Sequence, residues 1–258
     1  MGSLGGIHDH QERGVIIIHI LRYLQRHTPR VCILENVKGL VTHHAQTFLA
    51  ILQLIAAIVD SRGARVYSIF WKVLDSMLFG GVPQRRTRVW IVLVRRDGRP
   101  AIHFTWPEEI PCRHLDAMFD TGSEKLFSYK DYDECIPKQK TAARNIVAAL
   151  QHVKALALSE GCEPTKYAVI VDIGGSKPSW GVGHCPCITA TRASSKAFWS
   201  LQHGRRLTIS EMLRLQGFDP TKVVRVGKDS AMGSRIGNSF TLTVLSRVMD
   251  AALSAAVS

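Results

Sequence analysis

The sequence predicts an α/β fold, a sheet with helices packed on its faces, and three observations carry that expectation. Apolar residues at helical spacing alternate with short β-branched runs in the order helix, strand, helix, strand, loop, strand up to Arg96. A chain of 258 residues with 46% hydrophobic content can bury a substantial core. Regular patterning lapses between Asp97 and Gly204 and then resumes, as expected of a small domain inserted into the sheet domain.

Each element has a local cause. Ile17, Ile20, Leu21 and Leu24 share one helical face between Val15 and His27, and Pro29 ends that helix. Val31-Cys32-Ile33-Leu34 is an apolar run of the kind buried on both faces of a sheet, with Glu35 and Asn36 at its carboxyl end, where ligand sites of open α/β sheets lie. A second helix is expected from His44 to Ser61, closed by Gly63, followed by strands at Arg65 to Leu74 and Val89 to Val94 around the turn Phe79-Gly80-Gly81-Val82-Pro83. The inserted region holds a weak helix near Ala142 to Ser159 and a strand at Tyr167 to Ile173. Thr208 and Glu211 have capping-box spacing, so a helix runs on to Gly217, and a last helix covers Thr241 to Ala256. No internal repeat is present.

The formal charge of +12 points to a polyanionic partner, a generally basic surface being the plainer alternative. No apolar run reaches the roughly 18 residues of a membrane span, and the opening residues lack the pattern of a secretion signal. The expectation is therefore a protein that is neither membrane-inserted nor secreted, with its six cysteines as free thiols. His184, Cys185 and Cys187 lack the spacing and fourth ligand of a zinc site, so no metal is expected.

A carboxyl at the end of a buried strand is placed to act as a general acid, and arginines beside it as cations that steady developing negative charge. Glu35 suits the first role. Arg86 and Arg88 suit the second, because alternation along an extended segment puts both on one side. Singly, a glutamate after a strand is usually a solvated end and a Gln-Arg-Arg run a surface cluster.

Together, however, Leu34-Glu35-Asn36-Val37-Lys38-Gly39-Leu40, then Phe79 through Gln84-Arg85-Arg86-Thr87-Arg88, then Arg206-Leu207-Thr208 with Glu211 and Arg214-Leu215-Gln216-Gly217-Phe218, then Ile236-Gly237-Asn238-Ser239-Phe240 resemble the DNA cytosine-5 methyltransferase family, in the family's order. The resemblance covers nearly the whole chain. It implies a partial Rossmann-like methyltransferase sheet domain at residues 1–96 and 205–258, with a target recognition domain at residues 97–204. It further implies Glu35 as the acid at N3, Arg86 and Arg88 as the arginines of a Gln-x-Arg-x-Arg pattern, and Asn238 and Ser239 beside S-adenosylmethionine.

Gln84, Asn36, Arg192 and Arg206 are candidates for the substrate side, Asn36 more as an organiser of its loop. Arg192, Lys196, Arg205 and Arg206 are candidates for phosphates, whereas Phe198 and Trp199 are expected to pack in the core. The implied partner is DNA, with a cytosine drawn out of the stack. Transfer RNA is the alternative acceptor, and a non-catalytic nucleic-acid-binding module the alternative class. The implied compartment is the nucleus of a eukaryote or the cytoplasm and nucleoid of a bacterium.

By the same resemblance the Pro-Cys nucleophile and the glycine-rich cofactor loop would precede Met1, leaving this chain inactive alone; Ser3 to Gly14 resembles the loop after the nucleophile. Pro186-Cys187 and Val171-Asp172-Ile173-Gly174-Gly175-Ser176 imitate the two missing elements, as a circular permutation would, but no helical pattern follows Ser176. Cys32 is expected to be core.

Overall fold

The computed structural model describes residues 15–123 and 135–257. They form two compact units, one of residues 15–74, 87–108 and 246–257, the other of residues 75–86, 109–123 and 135–245. The sequence divides into expected segments of 1–96, 97–204 and 205–258; in the structure residues 205–245 group with the inserted region because they share its core. The stretch Ser3 to Gly14 lies outside the described residues.

The first unit contains α1 (Val15–His27), β1 (Val31–Val37), α2 (Gly39–Thr42), α3 (Ala45–Ala56), β2 (Tyr67–Asp75) and β3 (Thr87–Arg95), with the strands in the order β1-β3-β2. Along β3, Val89, Ile91 and Leu93 enter a core with Leu24, Phe48, Ile51 and Ile55 of α1 and α3. The alternate residues Trp90, Val92 and Val94 are equally buried on the other face. A continuous apolar run therefore fills both faces of a central strand, each large side chain contributing about 1.5–3 kcal/mol.

The apolar run of β1 predicts burial on both faces too, but Val31 to Leu34 are half-buried. The strand stands at the sheet edge and pairs antiparallel with β3. α3 stops at Ala56, short of Ser61, because Asp60 closes a tight turn by accepting from the backbone N–H of Arg62 and Ala64, both at 2.9 Å.

The second unit begins with α4 (Ser76–Gly80), a short helix in place of the expected turn, capped by Asp75. Its core is a four-stranded antiparallel sheet of β4 (Val169–Asp172), β5 (Ser179–Val182), β6 (Phe198–Ser200) and β7 (Arg205–Arg206), ordered β5-β4-β6-β7. Val169, Val171 and Trp199 pack with Ile146, Ala149 and Val153 of α5 (Lys140–Glu160). Ile170 and Phe198 point into a second cluster with Met212 and Leu215 of α7 (Ile209–Leu215) and Ile236 of α8 (Asp229–Asn238). Phe198 and Trp199 are thus core residues on opposite faces.

Thr208 and Glu211 make the expected capping box. α8 is not an expected element, since glycine is a poor helix former. It forms because Gly233 and Gly237 let it pass against the backbone of Thr189 and of α6 (Ala190–Ser194): a Cβ on Gly237 would sit 2.2 Å from the Ala190 nitrogen. α9 (Leu242–Val257) follows. Taken end to end, Asp229–Val257 is the one described stretch long and apolar enough to cross a bilayer. Among its apolar residues Met232, Ile236, Val244, Val248 and Ala252 are buried in the protein.

Candidate active site

The antiparallel register sets Glu35 opposite Trp90 and Val37 opposite Arg88. Glu35 and Arg88 are therefore diagonal neighbours on one face, within reach of long side chains. They meet: Arg88 Nε lies 3.0 Å from Glu35 Oε1, with the two side chains only 14% and 17% exposed. Arg88 also donates from Nη1 to the Thr87 carbonyl at 2.9 Å, which fixes the guanidinium plane. A carboxyl and an oriented cation thus stand together at the carboxyl end of β1. Asn36 is exposed and accepts from the Val37 N–H at 2.8 Å, consistent with holding its own loop.

Arg86 departs from expectation. It precedes the first residue of β3, so strand alternation does not pair it with Arg88. Its side chain is buried, donating from Nη1 to the Ile188 carbonyl at 2.7 Å and from Nη2 to the carbonyls of Ser239 at 2.8 Å and Gly237 at 3.3 Å. Gln84 is fully buried beside it. Its Nε2 donates to the Leu215 carbonyl at 2.8 Å and to Gln216 Oε1 at 3.1 Å, and its Oε1 accepts from the Ile188 N–H at 2.9 Å.

Gln216 donates in turn to the Ile236 carbonyl at 2.9 Å, and its Oε1 accepts from Thr241 Oγ1 at 3.1 Å. Thr241 reaches Ser76 at 2.8 Å across 165 residues of sequence. One buried polar network therefore ties together the Gln84-Arg85-Arg86, Pro186-Cys187-Ile188, Leu215-Gln216 and Gly237-Asn238-Ser239 segments. Ser76 and Thr241 join this network without any signal in the sequence, because partners 165 residues apart leave no spacing pattern.

The remaining candidates are dispersed. Asn238 is exposed at the end of α8 and its side chain has no hydrogen-bond partner among the described residues, whereas the Ser239 hydroxyl donates to the Ile236 carbonyl at 2.7 Å. Arg192 pairs with Asp172 at 3.0 Å, Lys196 with Asp229 at 2.8 Å, and Arg206 donates to the carbonyls of Lys196 and Ser195. Arg205 is spent on the fully buried Glu211, at 2.6 and 3.0 Å.

The thiols differ sharply. Cys32 stands three residues before Glu35 in β1, hence on the opposite face, packed against the α1 and α3 core, and burial raises its pKa. Burial pushes the Cys185 thiol well above its ordinary range. Cys187 lies 3.8 Å from Arg86 Nη1, and Cys162 lies 3.3 Å from the Tyr167 hydroxyl. Glycines 174 and 175 lead into β5, so the glycine-rich imitation is not followed by a helix.

Residues 1–254 match the family model of C-5 cytosine-specific DNA methylase. The chain belongs to that family. Among its relatives are the Type II methyltransferase M.NgoBI of Neisseria gonorrhoeae, 28% identical over 93% of this chain and 66% of that protein. Another is M.HaeII of Haemophilus aegyptius, 28% identical over 90% of this chain and 64% of that protein. The chain thus spans just under two thirds of the length of these curated relatives. A putative DNA modification methyltransferase encoded within an Escherichia coli prophage superposes with a TM-score of 0.60 at 15% identity, covering 96% of this chain and 76% of that one. At that identity the likeness concerns the fold, a mixed α/β architecture of the Rossmann-like methyltransferase class.

Proposed function

We propose that this chain forms the cytosine-binding side of a DNA cytosine-5 methyltransferase, which moves a methyl group from S-adenosylmethionine to C5 of a cytosine turned out of the duplex. The observation that carries this reading is the 3.0 Å pair of Glu35 and Arg88 on one face of the sheet. When a thiolate adds to C6, the S–C6 bond forms and an electron pair is pushed toward N3 and O2. Glu35 donates a proton to N3 and Arg88 donates hydrogen bonds at O2, so that C5 becomes the nucleophile. Arg86 and Gln84 do not touch the base in this reading; they are positioning residues that hold the backbone segments of the second unit.

The exposed side-chain amide of Asn238 fits a polar cofactor contact, whereas the hydroxyl and N–H of Ser239 are engaged by the Ile236 carbonyl and its own carbonyl by Arg86. S-adenosylmethionine supplies an electrophilic methyl when bound. Cys32 faces away from Glu35 and burial raises the Cys185 thiol well above its ordinary range, so neither supplies the thiolate that adds to C6 in this reading.

The test is Glu35→Gln in a methyl-transferring form of the protein. The amide keeps size and polarity but not the proton, so DNA binding should change by less than about twofold while single-turnover methylation falls by roughly a hundredfold or more. Wild-type turnover would remove Glu35 from the mechanism. Running duplex DNA and transfer RNA as parallel acceptors decides between the two substrate classes, and bound DNA with no transfer to either would favour a binding module.

A further inference from the structure

The sheet of the first unit has a second end of chemical interest. Because β1 and β3 are antiparallel, the end opposite Glu35 and Arg88 is where Val31 meets Val94. There the loops after α1, α3 and β3 enclose a cleft of about 670 Å³, lined by five arginines, Arg62, Arg65, Arg95, Arg96 and Arg99, against only Asp60 and Asp97. Gathering five cations on short loops is unfavourable unless an anion compensates them, and two carboxylates do so only in part.

The cluster is built rather than loose. Arg95 is fixed by the Thr28 carbonyl at 2.7 Å and Asp97 at 2.6 Å. Arg99 is fixed by the carbonyls of Arg96 at 3.0 Å and Ala256 at 3.3 Å. Arg96 is oriented through Nε by Ser68 at 3.1 Å. Arg65 is exposed, and its guanidinium has no partner among the described residues. Thr28 and Asp97, two of the three non-glycine residues with positive φ among the described residues, line the same cleft at +39° and +49°. Such conformations are disfavoured for residues with a side chain and concentrate at ligand sites.

We propose that this cleft binds phosphate groups, those of a free nucleotide or of a nucleic-acid strand, at a site separate from the cytosine pocket. Guanidinium forks match phosphate oxygens two at a time, and a multiply charged anion answers the local excess better than a single carboxylate. Nothing in this assignment depends on Glu35, a thiol or the cofactor, so its test reads binding and not methyl transfer.

The 258-residue chain is titrated with inorganic tripolyphosphate by calorimetry and with a labelled single-stranded oligonucleotide by anisotropy. Arg65→Gln with Arg96→Gln should weaken binding about tenfold and lower the salt slope by roughly 1 for each phosphate that is no longer neutralised. Lys222→Gln with Lys228→Gln removes equal charge from the other unit and should change little. Arginine-dependent binding of tripolyphosphate alone would identify a free nucleotide, and of the oligonucleotide alone a strand backbone. Equal losses in both double variants, no loss in the arginine pair, or polyglutamate bound as tightly as tripolyphosphate would overturn the proposal.

Discussion

Arg86 and Arg88 stand two residues apart in one short motif and have opposite surroundings. Arg86 is sealed in the second unit, its guanidinium donating to three backbone carbonyls. Arg88 lies on a strand of the first unit and meets a carboxylate. The chain passes from one unit to the other between Arg86 and Thr87. A compact sequence signature can therefore hold two arginines with different purposes, one binding backbone segments together and one paired with a carboxylate on a sheet face, and the side-chain partners separate them where residue type does not.

The largest expected effect breaks the first purpose. Arg86→Met keeps the volume but leaves the carbonyls of Ile188, Gly237 and Ser239 without their donor. At about 1–3 kcal/mol for a buried group so orphaned, and with partial relaxation, the loss should be about 3–5 kcal/mol. Denaturant unfolding should show it as a lower midpoint, with turnover lost along with the fold. An unchanged midpoint would mean that the network is not structural and would return Arg86 to the substrate side.

A smaller loss is expected where the same network meets α8. Gly237→Ala places a Cβ 2.2 Å from the Ala190 nitrogen and 2.3 Å from the Thr189 carbonyl carbon, and neither backbone can swing aside as a side chain would. Overpacking of this kind should cost about 2–3 kcal/mol. Gly161→Ala is the control: Gly161 carries a glycine-type φ of +63°, but a Cβ added there would have nothing within 4 Å, so its cost should reflect the backbone alone. Gly237 has no positive φ, so similar midpoints for the two variants would show that the close approach to Ala190 relaxes at little cost.

These contrasts also mark how far the sequence can be read. The order of the main strands and helices of the first unit follows from periodicity, and the capping box of Thr208 and Glu211 from spacing, because both are local; β5, β6 and β7 are too short to show a period and are not expected elements. Glu35 and Arg88 can be paired because each sits at a strand end and family resemblance supplies the rest. Sequence alternation misplaces Arg86 beside Arg88 because it holds only inside a strand, and β3 begins at Thr87. α8 escapes a propensity argument because Gly233 and Gly237 weigh against a helix, while the reason for them lies in a segment some forty residues earlier. Ser76 and Thr241 cannot be linked at all without the fold.

The smallest effect on stability, and the sharpest on function, is expected at Arg88. Arg88→Ala removes a pair that is partly exposed, so the unfolding free energy should fall by about 1 kcal/mol, well short of the loss at Arg86. Turnover in a methyl-transferring form should nevertheless drop as steeply as in Glu35→Gln, since in the proposed mechanism both groups act on one ring. Combining the two substitutions separates the contributions. If Glu35 and Arg88 act together at N3 and O2, the double variant should be scarcely slower than either single one, because the second change removes a group whose partner has already gone. Rate losses that simply multiply would mean that the two residues act independently and that their pairing is structural; a stability loss at Arg88 equal to that at Arg86 would erase the distinction between the two arginines.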